Sequence, residues 1–212
     1  MFTGIIEHVG TIDSLAAGSE GGKLVVLAPS LAPSLAVSKS IAVNGCCLTV
    51  VALDKARFTA DLSGETIRCT SFQELRPGAR VNLEQPLTAG KEFGGHFVQG
   101  HVDGIGRVVH IVPEGENWLY AVQVPREIAR YVASKGSIAV DGISLTVADW
   151  RDGIAKMAII PFTYANTNLK DRKPGDAVNL EADMIAKYVE RVLDERNAPS
   201  RISLEKLTRE GF

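Results

Sequence analysis

Apolar residues come in short runs along this chain, set apart by Gly, Pro, Asn and Asp: Lys23 to Leu27, Ile41 to Val43, Leu48 to Leu53, Phe58 to Leu62 and Val81 to Glu84. Runs this short, rich in β-branched residues and bounded by turn formers, predict strands rather than helices. Side chains alternate along a strand, so Cys47 and Thr49 share one face and Cys46 and Leu48 the other. Asn44-Gly45 and Asp141-Gly142 are dipeptides that accept positive φ, which predicts two tight hairpin turns. An antiparallel barrel is the natural closure for such strands, giving an all-β fold.

Helical periodicity is rare. After Pro125, the residues Ile128, Ala129, Val132 and Ala133 make an apolar face and predict a short helix. The matching stretch "LAPSLAPSLAVSK" is interrupted by proline and predicts a turn or two at most. Beyond Asp183, Ile185, Val189, Val192 and Leu193 recur at helical spacing while Lys187, Glu190 and Arg191 lie off that stripe. A terminal amphipathic helix of this kind finds its apolar partner in another subunit, so a homo-oligomer is expected. The tail beyond Asn197 is expected to be mobile.

Shifted by 97 residues, the chain matches itself without a gap from Ser40 to Glu84: "SIAVNGCCLTV" falls on "SIAVDGISLTV", and "PGARVNLE" on "PGDAVNLE". Ahead of that, "GIIEHVGTI" from Gly4 falls on "GHVDGIGRV" from Gly100 at a shift of 96, so one residue is gained in between. A duplicated domain follows. The expected division is a first copy over 1–96, a second over 97–184, and an appended helix and tail over 185–212.

Composition narrows the class. A chain of 212 residues suits two domains, and 45% hydrophobic with 23% charged residues is ordinary for a globular protein. The net charge of −2, with basic residues scattered rather than striped, argues against nucleic acid as a partner. Three cysteines, two of them vicinal, suit reduced thiols and a cytoplasmic location. No basic segment followed by an apolar run opens the chain, and Pro29 and Pro33 break its least charged stretch, so neither export nor a membrane span is expected.

The repeat directs attention to chemistry. Cys47-x-Thr49 in one copy and Ser144-x-Thr146 in the other form matched polar faces, one with a thiol and one with a hydroxyl. Taken alone, Cys47 reads as a small buried filler; the repeated pattern favours a ligand site. His96 and His101 are five apart, which in a strand sends them to opposite faces, and no metal site is expected. His101 follows Gly100 at the start of a barrel strand, where backbone can approach a ligand. Asp183 stands where the first copy has Pro86, either as the N-cap of the last helix or as a carboxylate present in only one of two matched sites. Gly104 and Gly106 do not complete a dinucleotide fingerprint, and there is no P-loop, G-x-S-x-G elbow or paired-carboxylate hydrolase pattern.

Taken in order, "MFTGI", "NGCCLTV", "GGHFVQGH", "KGSIAVDGISLTV", "IIPFTY", "VNLEAD" and the final amphipathic helix resemble the riboflavin synthase family over nearly the whole chain. The resemblance implies two Greek-key, six-stranded barrels, a homotrimer assembled by the C-terminal helix, and active sites between the first barrel of one subunit and the second of its neighbour. It implies a reaction without cofactor, in which two molecules of 6,7-dimethyl-8-ribityllumazine exchange a four-carbon unit to give riboflavin and a 5-amino-6-ribitylamino-pyrimidinedione. Association with lumazine synthase is a further partner it suggests.

The same resemblance marks His101, Lys135 and Asp183 as titratable candidates and Cys47, Ser40 and Ser144 as thiol or hydroxyl candidates. Ligand contacts are implied in copy one at Gly4, Ile5, Ile6, Cys47, Leu48, Thr49, and at Asp61, Leu62, Ser63, Gly64, Glu65, Thr66. In copy two they fall at Gly100, His101, Val102, Lys135, Ser144, Leu145, Thr146, and at Ile159, Ile160, Pro161, Phe162, Thr163, Tyr164. Phe2 and Thr3 match an N-terminal segment that reaches the family's active site. The chain departs from the family at Phe162, where Glu or His is common, and over Asn166 to Leu169. The competing readings are a lumazine protein, which binds a lumazine or flavin without turning it over, and a flavin-reductase barrel, which would need a nicotinamide domain.

Overall fold

A computed structural model describes residues 1–197, so the expected mobile tail lies outside the described residues. The first copy forms β1 (His8–Gly18), β2 (Gly21–Leu27), β3 (Ser40–Val43), β4 (Cys46–Leu53), β5 (Arg57–Ser63) and β6 (Arg80–Glu84). They pair antiparallel in the order β1-β2-β5-β4-β3-β6, and β6 returns to β1 to close the barrel. The β3-β4-β5 meander with β2 beside β5 is a Greek key. A short helix α1 (Gly64–Cys69) follows β5, its first turn capped by the Ser63 hydroxyl, which accepts from the Thr66 N–H at 3.0 Å. Leu24, Val26, Ile41, Val43, Phe58 and Leu83 fill the interior.

The second copy repeats the plan with β7 (Gly104–Glu114), β8 (Asn117–Gln123), α2 (Arg126–Ala129), β9 (Ser137–Val140), β10 (Ile143–Thr146), β11 (Asp149–Arg151), β12 (Ile154–Ile159), α3 (Pro161–Asn166) and β13 (Ala177–Ala182). Its sheet runs β10-β9-β13-β7-β8-β12-β11 and is not closed by a continuous ladder, unlike the expected pair of six-stranded barrels. The cause is local. In β4 the register shifts between Val50 and Ala52, a bulge the strand survives; at the matching Val147 and Ala148 the strand divides into β10 and β11. Each half then serves one neighbour, β9 on one side and β12 on the other. The extra residue of the repeat falls after β2 and β8, since both still match at the shift of 96.

The helix expected after Pro125 is shorter than its apolar pattern. It ends at Ala129, and Val132 packs into the core while Ala133 is exposed. The chain must turn there, because Lys135 takes a φ of +67° to bring its N–H onto Val147 O. After β13, α4 (Met184–Asn197) begins with Asp183 Oδ1 accepting from the Ile185 N–H at 3.0 Å, the N-cap arrangement. Ile185, Val189, Val192 and Leu193 lie exposed on this helix. No described helix is long and apolar enough to cross a membrane.

The two hairpin turns meet at the seam between the copies. Asn44, Gly45, Asp141 and Gly142 all have positive φ, as the dipeptides predict, and a Cβ on Gly45 would lie 2.7 Å from Gly142 N. Around them a buried polar network joins the copies. Asn82 Nδ2 donates to Asp141 O and Asn168 Oδ1, and Asn179 Nδ2 donates to Asn44 O at 2.8 Å. Arg172 donates to the buried Asp141 carboxylate. Phe2, Ala42, Val98 and Ala139 form a small apolar cluster beside it.

Candidate active site

Each copy clamps its own leading segment with the glutamate of its "VNLE" strand. Glu84 accepts from the Thr3 N–H at 2.7 Å and the Gly4 N–H at 2.9 Å; Glu181 accepts from the Gln99 N–H at 2.6 Å and the Gly100 N–H at 3.0 Å. The glycine carbonyls so aimed cross to the other copy. Ser144 N–H donates to Gly4 O at 2.8 Å, and Cys47 N–H donates to Gly100 O at 2.9 Å. Neither glycine tolerates a side chain: a Cβ on Gly100 would stand 2.5 Å from Cys47 Cβ, and one on Gly4 2.7 Å from Ser144 Cβ.

Two cavities lie at these crossings. The first, of about 230 Å³, is lined by Cys46, Cys47, Glu65, Thr66, Cys69, Thr70, Gly100, His101 and Val102. The second, of about 190 Å³, is lined by Ile143, Ser144, Phe162, Thr163, Asn166, Thr167, Gly4, Ile5 and Ile6. Written in this order, every residue of one matches its counterpart in the other at the repeat shifts of 97 and 96. The groupings expected from sequence are therefore exchanged: Gly4 to Ile6 serve the cavity of copy two, and Gly100 to Val102 that of copy one. The exchange follows from the clamps, which point each leading segment at the opposite hairpin. For the same reason His101 precedes its strand, β7, rather than beginning it.

The second cavity has a partner that the repeat does not supply to the first. His96 is buried, and its Nδ1 shares a 2.7 Å hydrogen bond with Ser144 Oγ, while its Nε2 has no partner. Burial pushes this imidazole below its ordinary pKa, against the pull of the nearby Asp183 carboxylate. A neutral ring so placed can accept the Ser144 proton. Sequence reasoning weighed His96 only as a metal ligand; the "GGH" run was the available signal, since a Cβ on Gly95 would meet Thr3 O at 2.0 Å.

Other candidates are placed differently. Leu48, Leu62, Leu145 and Ile159 point into the barrels and can offer only backbone to a ligand. Phe2 is fully buried at the seam and bridges to Val98, which makes it a fixed support, and Thr3 is held by Glu84. Ser40 and Thr49 face each other across β3 and β4, Ser137 and Thr146 across β9 and β10, outside both cavities. Asp61 pairs with Lys23 at 2.6 Å on the barrel exterior, and Lys135 is exposed. Gly64 and Ser63 lie at the start of α1, and Ile160 and Pro161 at the start of α3, where Tyr164 stacks on Trp118 at 3.8 Å.

Burial dominates the remaining electrostatics. The Cys46 thiol is pushed up to about 12 by burial and then by its neighbour Cys47, so it is inert at neutral pH. Desolvation raises Glu84, and raises Glu181 to about 7, against the backbone N–H donors that favour their ionised forms. Glu65 is lowered by hydrogen bonds from Arg68 and Cys69 and stays charged.

Comparison with known proteins agrees with this architecture. The Lumazine binding domain profile matches twice, over residues 3–86 and 99–183. Riboflavin synthase of Actinobacillus pleuropneumoniae is 41% identical over 215 residues, covering 100% of both chains. That of Mycobacterium tuberculosis is 45% identical over 199 residues, covering 91% of this chain and 98% of the relative. The solved structure of LumP complexed with riboflavin superposes with a TM-score of 0.80 at 26% identity, covering 86% of this chain and 99% of that one. The chain therefore belongs to the riboflavin synthase family, built from two lumazine binding domains.

Proposed function

We propose that this chain catalyses the riboflavin synthase reaction: two molecules of 6,7-dimethyl-8-ribityllumazine give riboflavin and 5-amino-6-ribitylamino-pyrimidinedione. The observation that carries the reading is the pair of cavities matched residue by residue, as two copies of one substrate require. One lumazine loses a proton from its C7 methyl, and the other accepts a nucleophile at C7; the proton is returned and the nucleophile expelled as the four-carbon unit is transferred. Carbon–carbon bonds then form between the rings, and the donor gives up its two ring carbons with their methyls. The products hold the same atoms as the two substrates, so the net reaction consumes neither oxidant nor cofactor.

In this reading Cys47 and His101 serve the ring in the first cavity and Ser144, with His96, the ring in the second. Ser40, Lys135 and Asp183 act from outside the cavities, where a neighbouring subunit would complete the site. The exposed stripe of α4 supports a homotrimer, with 1–96 and 97–184 as its two ligand-binding units per chain. Much of the acceleration comes from holding two heteroaromatic rings in register. A cytoplasmic location and association with lumazine synthase complete the reading. The purified protein given the lumazine alone should form riboflavin, seen as a red-shifted absorbance. Tight binding without product would instead support a lumazine-binding antenna protein.

A further inference from the structure

The backbones of His96 and Ser144 are both fixed by one short stretch, Thr3-Gly4. The Thr3 carbonyl accepts from the His96 N–H at 3.1 Å, and the Gly4 carbonyl accepts from the Ser144 N–H at 2.8 Å. The two residues lie 48 apart in sequence, so these bonds set the spacing at which Nδ1 and Oγ share their 2.7 Å contact. Little room is left there. A Cβ on Gly95 would fall 2.0 Å from Thr3 O and 3.1 Å from Ser144 Oγ, so the segment carrying His96 can approach only as bare backbone.

Glu84 in turn holds that stretch, and it lines neither matched cavity. Its buried carboxylate takes three donors: Oε1 accepts from the Thr3 N–H and the Thr3 hydroxyl, each at 2.7 Å, and Oε2 from the Gly4 N–H at 2.9 Å. The Thr3 hydroxyl oxygen also accepts from the Ile5 N–H at 3.3 Å, which closes the turn. Resting on the function proposed above, we propose that Glu84 is the positioning residue of the His96–Ser144 pair. Without touching substrate, it aims two adjacent carbonyls and so fixes the imidazole against the hydroxyl. Only an acceptor on both oxygens can do this, because an amide in the same place turns a donor towards Thr3 or Gly4 and leaves a buried N–H unpaired. The carbonyls then lose their aim, and proton transfer between His96 and Ser144 depends on hydrogen-bond reach.

Two measurements on the full-length protein test this. In riboflavin formation, Glu84→Gln should lower kcat roughly tenfold with KM nearly unchanged, short of the about hundredfold that a full ångström of misplacement can cost. The same change should add little in a His96→Gln protein, because it acts through that residue. Thr3→Ser should retain activity, and Thr3→Val, which removes one of the three donors, should fall between wild type and Glu84→Gln. In amide hydrogen exchange, Glu84→Gln should quicken His96 and Ser144 but not Cys47, whose partner carbonyl is held by Glu181. Equal kcat losses in both backgrounds overturn the inference, as does exchange that quickens equally at Cys47, the mark of general loosening. Should Glu84→Gln fail to fold, Thr3→Val decides by exchange, and unaltered His96 and Ser144 amides overturn it. A wild type that forms no riboflavin rejects the proposed function instead, and the exchange pattern still decides whether Glu84 sets the pair.

Discussion

Arg172 donates to the buried carboxylate of Asp141 at the seam between the copies, and the matched pair in the first copy is Leu75 and Asn44. The second copy thus carries a compensated charge pair where the first carries none. Burial opposes the Arg172 charge, but Asp141 beside it holds the guanidinium above its ordinary pKa. Arg172→Leu leaves a buried, uncompensated carboxylate and should lower stability by about 3–5 kcal/mol. Adding Asp141→Asn should recover most of that loss, because the double variant rebuilds the first-copy pair. Urea denaturation midpoints of the three proteins decide it; a double variant no better than Arg172→Leu alone contradicts the compensation.

Gly100 reaches Cys47 only because it lacks a Cβ and sits at a φ of +85°. Gly100→Ala should destabilise by more than about 3 kcal/mol, combining backbone strain with overpacking. Gly78, with a φ of +90° and nothing near its missing Cβ, is the control. Gly78→Ala should lose only the left-handed strain, about 1–2 kcal/mol, in the same denaturation experiment.

His96 is held neutral by burial, so the acceptor it offers to Ser144 exists above its depressed pKa and is lost as pH falls through it. The pH profile of riboflavin formation should therefore carry an acid limb below the usual histidine range. His96→Gln should remove that limb and lower kcat by roughly a hundredfold. An unchanged limb would assign the ionisation elsewhere.

Glu181 has its folded pKa raised from an ordinary 4.5 to about 7. Between these values the folded protein retains a proton that the unfolded chain has released, so stability falls as pH rises across that window. The slope contributed by this one group is at most about 1.4 kcal/mol per pH unit. Glu181→Gln should remove this dependence, measured as the difference in unfolding free energy between variant and wild type at intervals from acid to neutral pH.

The strands, the two hairpin turns, the duplication and the terminal helix were legible because each depends on local signals: residue type, period and turn chemistry. The helix after Pro125 was overestimated because its apolar residues continue past Ala129, while the chain turns towards the left-handed Lys135. The break that opens the second sheet had no such signal. Val147-Ala148 reads as a strand, like Val50-Val51, and only the pairing partners show the difference.

By itself the sequence determined that two equivalent units exist, that Cys47 and Ser144 occupy the same place in each, and that both lie beside a polar face. Only the tertiary structure decided which leading segment completes which cavity. That choice depends on the direction in which Glu84 and Glu181 hold two short backbone segments, and on two glycine carbonyls meeting N–H groups of the other copy. Repeat alignment cannot supply it, because matching a segment to its counterpart does not say whether the partner lies in the same copy or across the seam.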